Sequence, residues 1–210
     1  MIGIIDYGMG NIFSVRKALE RMEIPHFVSG LREELAEADG YILPGVGAFK
    51  DAMQNLHAAG LVDFIRLESD KGKPILGICL GMQLLFNESE ENGRTKGLGL
   101  LEGKAAKIPS KTADGKQKVP HMGWNQLKIK NESFLLTDLD EEHAYFVHSY
   151  YIKSDKSETV LASADYGVEV PAVVGRGNIF GTQFHPEKSS KAGLAILKRF
   201  SEKVEEEASG

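Results

Sequence analysis

Cys79 is the only cysteine among 210 residues, and it stands between glycines in Gly77-Ile78-Cys79-Leu80-Gly81. The apolar run from Pro74 to Ile78 stops there and a helical pattern begins. A strand-to-helix turn with small flanking residues lifts a side chain out of a sheet. It also leaves that side chain at a helix N-terminus, where backbone N–H groups and the helix dipole favour a thiolate. Such a cysteine is a candidate nucleophile and needs a base. Of the six histidines, only His185 has a suggestive setting, in Phe184-His185-Pro186-Glu187. A residue before proline is pushed toward extended geometry, and in extended chain side chains two apart share a side. His185 and Glu187 are therefore expected side by side, the carboxylate orienting the imidazole while its other nitrogen faces a thiol. Singly, a lone cysteine is most often a small buried hydrophobe and His-Pro-Glu a surface turn. Together Cys79, His185 and Glu187 form a candidate triad for covalent catalysis.

These residues must be positioned by elements, and the first half of the chain reads as alternating strands and helices. The apolar runs Ile2–Asp6, His26–Val28, Tyr41–Pro44 and Ile75–Ile78 alternate with amphipathic stretches, the βαβ pattern of a largely parallel sheet. Ile12, Val15, Ala18, Leu19 and Met22 recur at helical spacing, which predicts a helix over Asn11–Glu23 closed by Pro25. From Leu101 strand-like pieces follow one another: Gln126–Ile129, Tyr145–Tyr150, Thr159–Ala164, Ala172–Gly175 and Ile179–Phe184. They predict an antiparallel or mixed extension. Ser189–Val204 reads as a closing helix with a frayed acidic end at Glu205–Gly210, and Ser110–Lys118 as a solvated loop. The expected class is α/β: an open, mostly parallel, flavodoxin-like sheet with flanking helices and an antiparallel or mixed strand extension in the second half, in one domain spanning 1–210.

Two glycine-rich loops follow strands. Gly8-Met9-Gly10 has Phe13 where a dinucleotide loop needs its third glycine, which argues against a nucleotide. Gly45-Val46-Gly47 has Lys50 in that place. It reads as a tight turn, or as a loop whose N–H groups turn toward a developing oxyanion. In an open α/β sheet the carboxyl ends of the strands share one crevice, where Gly45–Gly47 and Cys79 would meet. One cysteine and no paired-ligand spacing argue against structural zinc. His143 and His148, an odd number apart, should face opposite sides of a strand.

The 25 basic and 30 acidic residues leave a net charge of −5, with no basic face for nucleic acid. A lone cysteine forms no intrachain disulfide, which fits a reducing compartment. The run Ile2–Ile5 lacks the basic start and length of a signal peptide, and no stretch approaches a membrane span. The expectation is a cytoplasmic protein without cofactor or metal.

Gly77–Gln83, Pro44–Gly47 and Phe184–Glu187 together resemble the class I, triad-type glutamine amidotransferases. More narrowly, Asp6–Asn11, Pro120–Asn125, Tyr145–Tyr150 and Glu187–Ser190 resemble the glutaminase-subunit family of imidazole glycerol phosphate synthases, and the resemblance runs through nearly the whole chain. It implies that Cys79 attacks the amide of glutamine, with His185 as base and then proton donor and Glu187 orienting it. It implies an oxyanion hole from the backbone N–H groups of Val46 and Leu80, and substrate binding by Gly47, Gln83, Ser149 and Tyr150. It implies no cofactor, and a heterodimer with a (βα)8-barrel cyclase that receives the ammonia. A peptide flip at Val46 would then withdraw an oxyanion donor and leave the isolated chain a poor glutaminase until the partner or its ligand biases the loop. Asn11, His121, Trp124, Asn125 and Lys188 are expected on the partner face, although a sole tryptophan is by default a core aromatic. The competing readings are a glutaminase serving another synthase, such as that for pyridoxal phosphate, and a non-catalytic regulatory subunit on the same fold.

Overall fold

The computed structural model describes residues 1–112, 115–139 and 141–209. The first half is built of β1 (Ile2–Ile5), α1 (Ile12–Arg21), β2 (His26–Ser29), α2 (Arg32–Leu35), β3 (Gly40–Leu43), α3 (Phe49–Ala58), α4 (Leu61–Asp70), β4 (Ile75–Ile78) and α5 (Leu80–Leu84). Each of these strands is four residues long; β1, β3 and β4 are buried throughout, as strands covered by helices on both sides must be, whereas the edge strand β2 is mostly half-buried. Alternate residues feed two separate cores. Ile2, Ile4, Ile42 and Leu76 pack with α1 and the C-terminal helix α6 (Ser190–Ser209). Ile5, Tyr41, Leu43 and Ile75 pack with α3 and α4. Period-2 alternation thus becomes a three-layer sandwich.

The remaining strands are β5 (Phe86–Ser89), β6 (Thr95–Lys96), β7 (Leu101–Lys107), β8 (Lys111–Thr112), β9 (Gly115–Lys116), β10 (His121–Gln126), β11 (Lys128–Ile129), β12 (His143–His148), β13 (Tyr150–Ser154), β14 (Val160–Asp165), β15 (Glu169–Arg176) and β16 (Ile179–Thr182). The central sheet has the order β11-β14-β15-β16-β4-β3-β1-β2. From β2 to β16 its neighbours are parallel. From β16 to β11 they are antiparallel. A second sheet has the order β13-β7-β5-β6, and β10 pairs with β12 in a two-stranded ribbon.

Two expected strands are split between sheets. Within Gln126–Ile129 the chain leaves the ribbon at Gln126, buries Leu127 and joins the central sheet at Lys128 opposite Ser163. Within Tyr145–Tyr150 it leaves the ribbon at His148 and joins β7 at Tyr150, while Ser149 lends its carbonyl to the Ile108 N–H at 2.9 Å. Alternation reports extended chain but not the partner strand, so neither crossing has a local signature. The first helix starts at Ile12, with Asn11 as N-cap receiving the Ser14 N–H at 3.4 Å, and ends at Arg21 ahead of Pro25. The acidic end is helical to Ser209, held by Lys203 to Glu207 at 2.7 Å. Ser110–Lys118 contains the short hairpin β8–β9, and residues 113–114 of that stretch, like Gly210, lie outside the described residues. His143 is exposed and His148 buried, as their odd spacing requires. Among the described residues no helix is long and apolar enough to cross a membrane.

Candidate active site

Cys79 sits between β4 and α5 with φ 55° and ψ −111°, a strained conformation for a residue with a side chain. The N–H of Cys79 donates to the Thr182 carbonyl at 2.7 Å, and its own carbonyl receives the Gln83 N–H at 3.3 Å. The neighbouring glycines make the turn sterically feasible. A Cβ on Gly81 would stand 1.8 Å from the Leu43 carbonyl oxygen, and one on Gly77 would stand 2.6 Å from the Gly81 oxygen. The first turn of α5 is thereby pressed against the ends of β3 and β4, and the thiol is aimed out of the sheet.

His185 follows the last parallel strand, β16. Its Nδ1 is 2.8 Å from Glu187 Oε1, and both side chains are buried. The pair is held differently from the extended arrangement expected of His-Pro-Glu. Only His185 is extended; Pro186–Lys188 form one turn of 3-10 helix that swings the carboxylate back onto the ring. Ser189 fixes that turn, donating its hydroxyl to the His185 carbonyl at 2.7 Å and accepting the Tyr145 N–H at 3.0 Å. Burial opposes a charged His185, yet hydrogen bonds and charge from Cys79 and Glu187 outweigh it and hold the imidazole at about 9, against 6.5 ordinarily. An imidazolium between a sulfur and a carboxylate is the expected counter-ion of a nucleophilic thiolate.

Cys79 and His185 open into a pocket of about 350 Å³, shared with Val46, Gly47, Leu80, Gln83, Glu91, Val147, His148, Ser149 and Tyr150. That volume lies in the range of small-molecule sites. The loop bearing Val46 is docked on α5, the helix that follows Cys79. A Cβ on Gly45 would come 2.6 Å from the Gly81 nitrogen and 2.8 Å from the Tyr7 hydroxyl, so only glycine allows this approach. Tyr7 donates its hydroxyl to the Pro44 carbonyl at 2.8 Å. Burial, and then the charge of Cys79, push its phenol up and keep it a donor. A larger cavity of about 650 Å³, around Lys130, Tyr151 and Glu169, contains neither the thiol nor the histidine pair.

The glutamine amidotransferase class-I family matches residues 4–204. The chain is 61% identical to the imidazole glycerol phosphate synthase subunit HisH of Geobacillus thermodenitrificans, over 95% of this chain and 94% of that one. It is 59% identical to the HisH subunit of Bacillus subtilis, over 99% and 98%. A crystal structure of a glutamine amidotransferase superposes with a TM-score of 0.76 at 21% identity, covering 97% of this chain and 98% of that one, a likeness of fold. The chain belongs to the HisH family of class I glutamine amidotransferases. The fold class read from the sequence is that of this family, and members of the family are glutaminases.

The amidotransferase pocket gathers Val46, Gly47, Cys79, Leu80, Gln83, Ser149, Tyr150 and His185, all drawn from four separate segments. Gln83 is nearly fully buried and commits both amide hydrogens to the wall, donating to the Tyr150 carbonyl at 2.9 Å and to Gln183 Oε1 at 3.0 Å. It can offer a ligand only its oxygen. Of the residues expected on the partner face, Trp124 is 54% exposed rather than core, resting edge-on against Tyr145 at 6.0 Å. Lys188 is exposed and Asn11 half-buried as the cap of α1. Asn125 is half-buried and donates to the Asp165 carbonyl at 2.8 Å. His121 departs from the expectation: it is 2% exposed, stacked between Phe146 and Tyr166. Alternation along β10 turns Met122 and Trp124 outward and sends His121 in.

Three residues escaped sequence reasoning. Glu91 lines the pocket and accepts the Phe49 N–H at 2.8 Å, capping α3 where Ala48 supplies no side chain. Burial, and then the Glu91 charge, push the Tyr150 phenol up. Gln183 donates an amide hydrogen toward Cys79 Sγ at 3.8 Å. His148 joins the pocket wall, and its burial keeps it down at about 3. None carries a local motif; each comes near Cys79 only when distant segments close around it.

Proposed function

We infer that the chain is the glutaminase subunit of an imidazole glycerol phosphate synthase. The observation that carries this reading is a strained, glycine-flanked Cys79 sharing one pocket with His185, whose buried ring is held by Glu187 at 2.8 Å. The thiolate of Cys79 attacks the side-chain amide carbon of glutamine. The oxyanion that forms is held by the backbone N–H groups of Val46 and Leu80; the close packing of Gly45 on Leu80 and Gly81 supports this pairing. His185 gives its proton to the departing nitrogen, the C–N bond breaks, and ammonia leaves a glutamyl thioester on Cys79. Neutral His185 then takes a proton from water, whose oxygen attacks the thioester. Glutamate departs, and the thiolate and imidazolium are restored. Glu187 keeps the ring oriented throughout. Gly47, Ser149 and Tyr150, with the oxygen of Gln83 and the carboxylate of Glu91, bind the amino-acid end of glutamine. The acidic Glu91 suits its α-ammonium group.

Ammonia goes to a (βα)8-barrel cyclase subunit docked on the face that bears Trp124, Asn125, Asn11 and Lys188, in a cytoplasmic heterodimer. The Val46 N–H belongs to the peptide unit after Gly45, a residue without a Cβ, so a flip of that unit meets a low barrier and the partner can govern it. Glutamate release is the test, measured for the chain alone and with the cyclase and its nucleotide substrate. A glutamine-like electrophile should add one mass increment at Cys79, at a rate that falls in His185→Ala. Equal labelling in His185→Ala, or no glutamate release with any cyclase, contradicts the reading.

A further inference from the structure

Behind the pocket wall lies a chain of hydrogen bonds whose direction is fixed at every step. His148 Nδ1 is 2.8 Å from the Tyr150 carbonyl oxygen, which can only accept, so Nδ1 carries the hydrogen. A neutral ring then leaves Nε2 as an acceptor. It faces His121 Nδ1 at 3.0 Å, so His121 must donate from Nδ1 and keep a lone pair on Nε2. Asn125 Nδ2 meets that lone pair at 3.3 Å and places its second hydrogen on the Asp165 carbonyl at 2.8 Å. Asn125 Oδ1 accepts the Gln126 N–H at 2.8 Å, which fixes the orientation of the amide. Both rings are kept uncharged by burial, His121 held down at about 4 and His148 at about 3. A proton added to either ring would set donor against donor.

The chain ends at a carbonyl that matters. Tyr150 O also accepts from Gln83 Nε2 at 2.9 Å, and Tyr150, Gln83 and His148 all line the pocket that holds Cys79. It begins on β10, which carries exposed Met122 and Trp124 and pairs His121 directly opposite His148. Asn125 and His121 thus stand on the same strand as the outward Trp124, on its inward side.

We propose that Asn125, His121 and His148 are positioning residues that tie strand β10 to the Tyr150 carbonyl, so that the placement of β10 sets how well the pocket binds glutamine. This rests on the glutaminase reading for its substrate, but the direction of the hydrogen bonds does not. His121 touches no substrate; it acts by holding His148, which holds Tyr150 O. Two substitutions separate this role from simple packing. His121→Phe keeps a ring between Phe146 and Tyr166 but removes the donor, whereas His121→Asn keeps a donor at the Nδ1 position and loses the stack.

The first measurement is the tautomeric state of the histidines in the full, 15N-labelled chain by long-range nitrogen–proton correlation. Hydrogen on Nδ1 of both His121 and His148 is expected, and hydrogen on Nε2 of either overturns the relay. It needs no variant and no activity. The second is glutamine kinetics in the complex with the cyclase. His121→Phe should raise KM about tenfold with kcat within about twofold, the consequence of one orphaned buried nitrogen, and His121→Asn should restore KM to near the wild-type value. An unchanged KM in His121→Phe, or a KM in His121→Asn as poor as in His121→Phe, overturns the proposal. If the wild-type complex releases no glutamate, the glutaminase reading falls and the tautomers alone decide the relay.

Discussion

The parallel half of the central sheet and the strands added after Leu101 contribute to the same pocket by different routes. In the parallel half the proposed nucleophile is placed locally: β4, a strained Cys79 and α5 follow one another within ten residues, and glycines at 77 and 81 permit the packing. In the later half nothing is placed locally. His148 and Tyr150 are two residues apart yet belong to different sheets, and His185 reaches Cys79 only because β16 lies parallel beside β4. The contrast teaches that the proposed attacking group depends on a turn, whereas its proposed base and substrate wall depend on strand pairing across the whole chain.

Several measurements would break or sharpen that contrast. The largest effect is expected at the turn: Cys79→Ala should cut glutamate release by roughly a thousandfold or more while the circular dichroism spectrum stays unchanged. Retained turnover would remove the nucleophile from the parallel half. Next, Glu187→Gln should lower kcat roughly a hundredfold or more by loosening the orientation and charge of His185. The Gln side chain would also put an amide where Glu187 Oε2 lies buried without a hydrogen-bond partner.

Glu187 also enters through stability. His185 is raised from 6.5 to about 9 in the folded chain. The protonated ring therefore stabilises the fold fully below pH 6.5, and that contribution is lost as pH rises through about 9. Urea midpoints should fall over that window by an equivalent of about 1–3 kcal/mol, and the fall should shrink in Glu187→Gln. A flat profile in the parent chain would contradict the charged pair.

Steric need at the turn is tested by two glycines. Gly81→Ala, 1.8 Å from a carbonyl oxygen, should destabilise by about 3 kcal/mol. Gly177→Ala, at φ 60° in open space, should lose only about 1 kcal/mol. Similar losses would mean that the turn is not the tighter constraint. The smallest effect on stability belongs to the later half's surface: Trp124→Ala should change thermal stability by less than about 1 kcal/mol. The same variant should weaken binding to the cyclase severalfold or more in calorimetry, and unchanged affinity would take Trp124 off the docking face.

Much of this was legible before any coordinates. Period-2 and period-3.6 patterns located β1 to β4, α1 and α6 to within a few residues, because strands buried on both faces and amphipathic helices leave strong local signals. Cys79 announced itself through its glycines, and His185 with Glu187 through spacing. The 3-10 turn at Pro186–Lys188, the crossings at Leu127 and Ser149, and the roles of Glu91, Gln183 and His148 left no such trace. Each depends on a partner tens of residues away. Trp124 and His121 show the limit most plainly. They lie three residues apart in one strand, and which of them faces solvent was settled by the register of β10 against β12.

By itself the sequence determined the groups the proposed chemistry uses: one thiol at a glycine-flanked strand end, one histidine with a carboxylate two residues on, and alternating elements that demand a covered parallel sheet. These are short-range matters of sterics and periodicity, written within windows of ten residues. The tertiary structure decided which groups meet. It closed the pocket around Cys79, held the His185 charge between sulfur and carboxylate, and set His121 inward to face His148. Those outcomes follow from strand order and register, which are selected by burial summed over the whole chain.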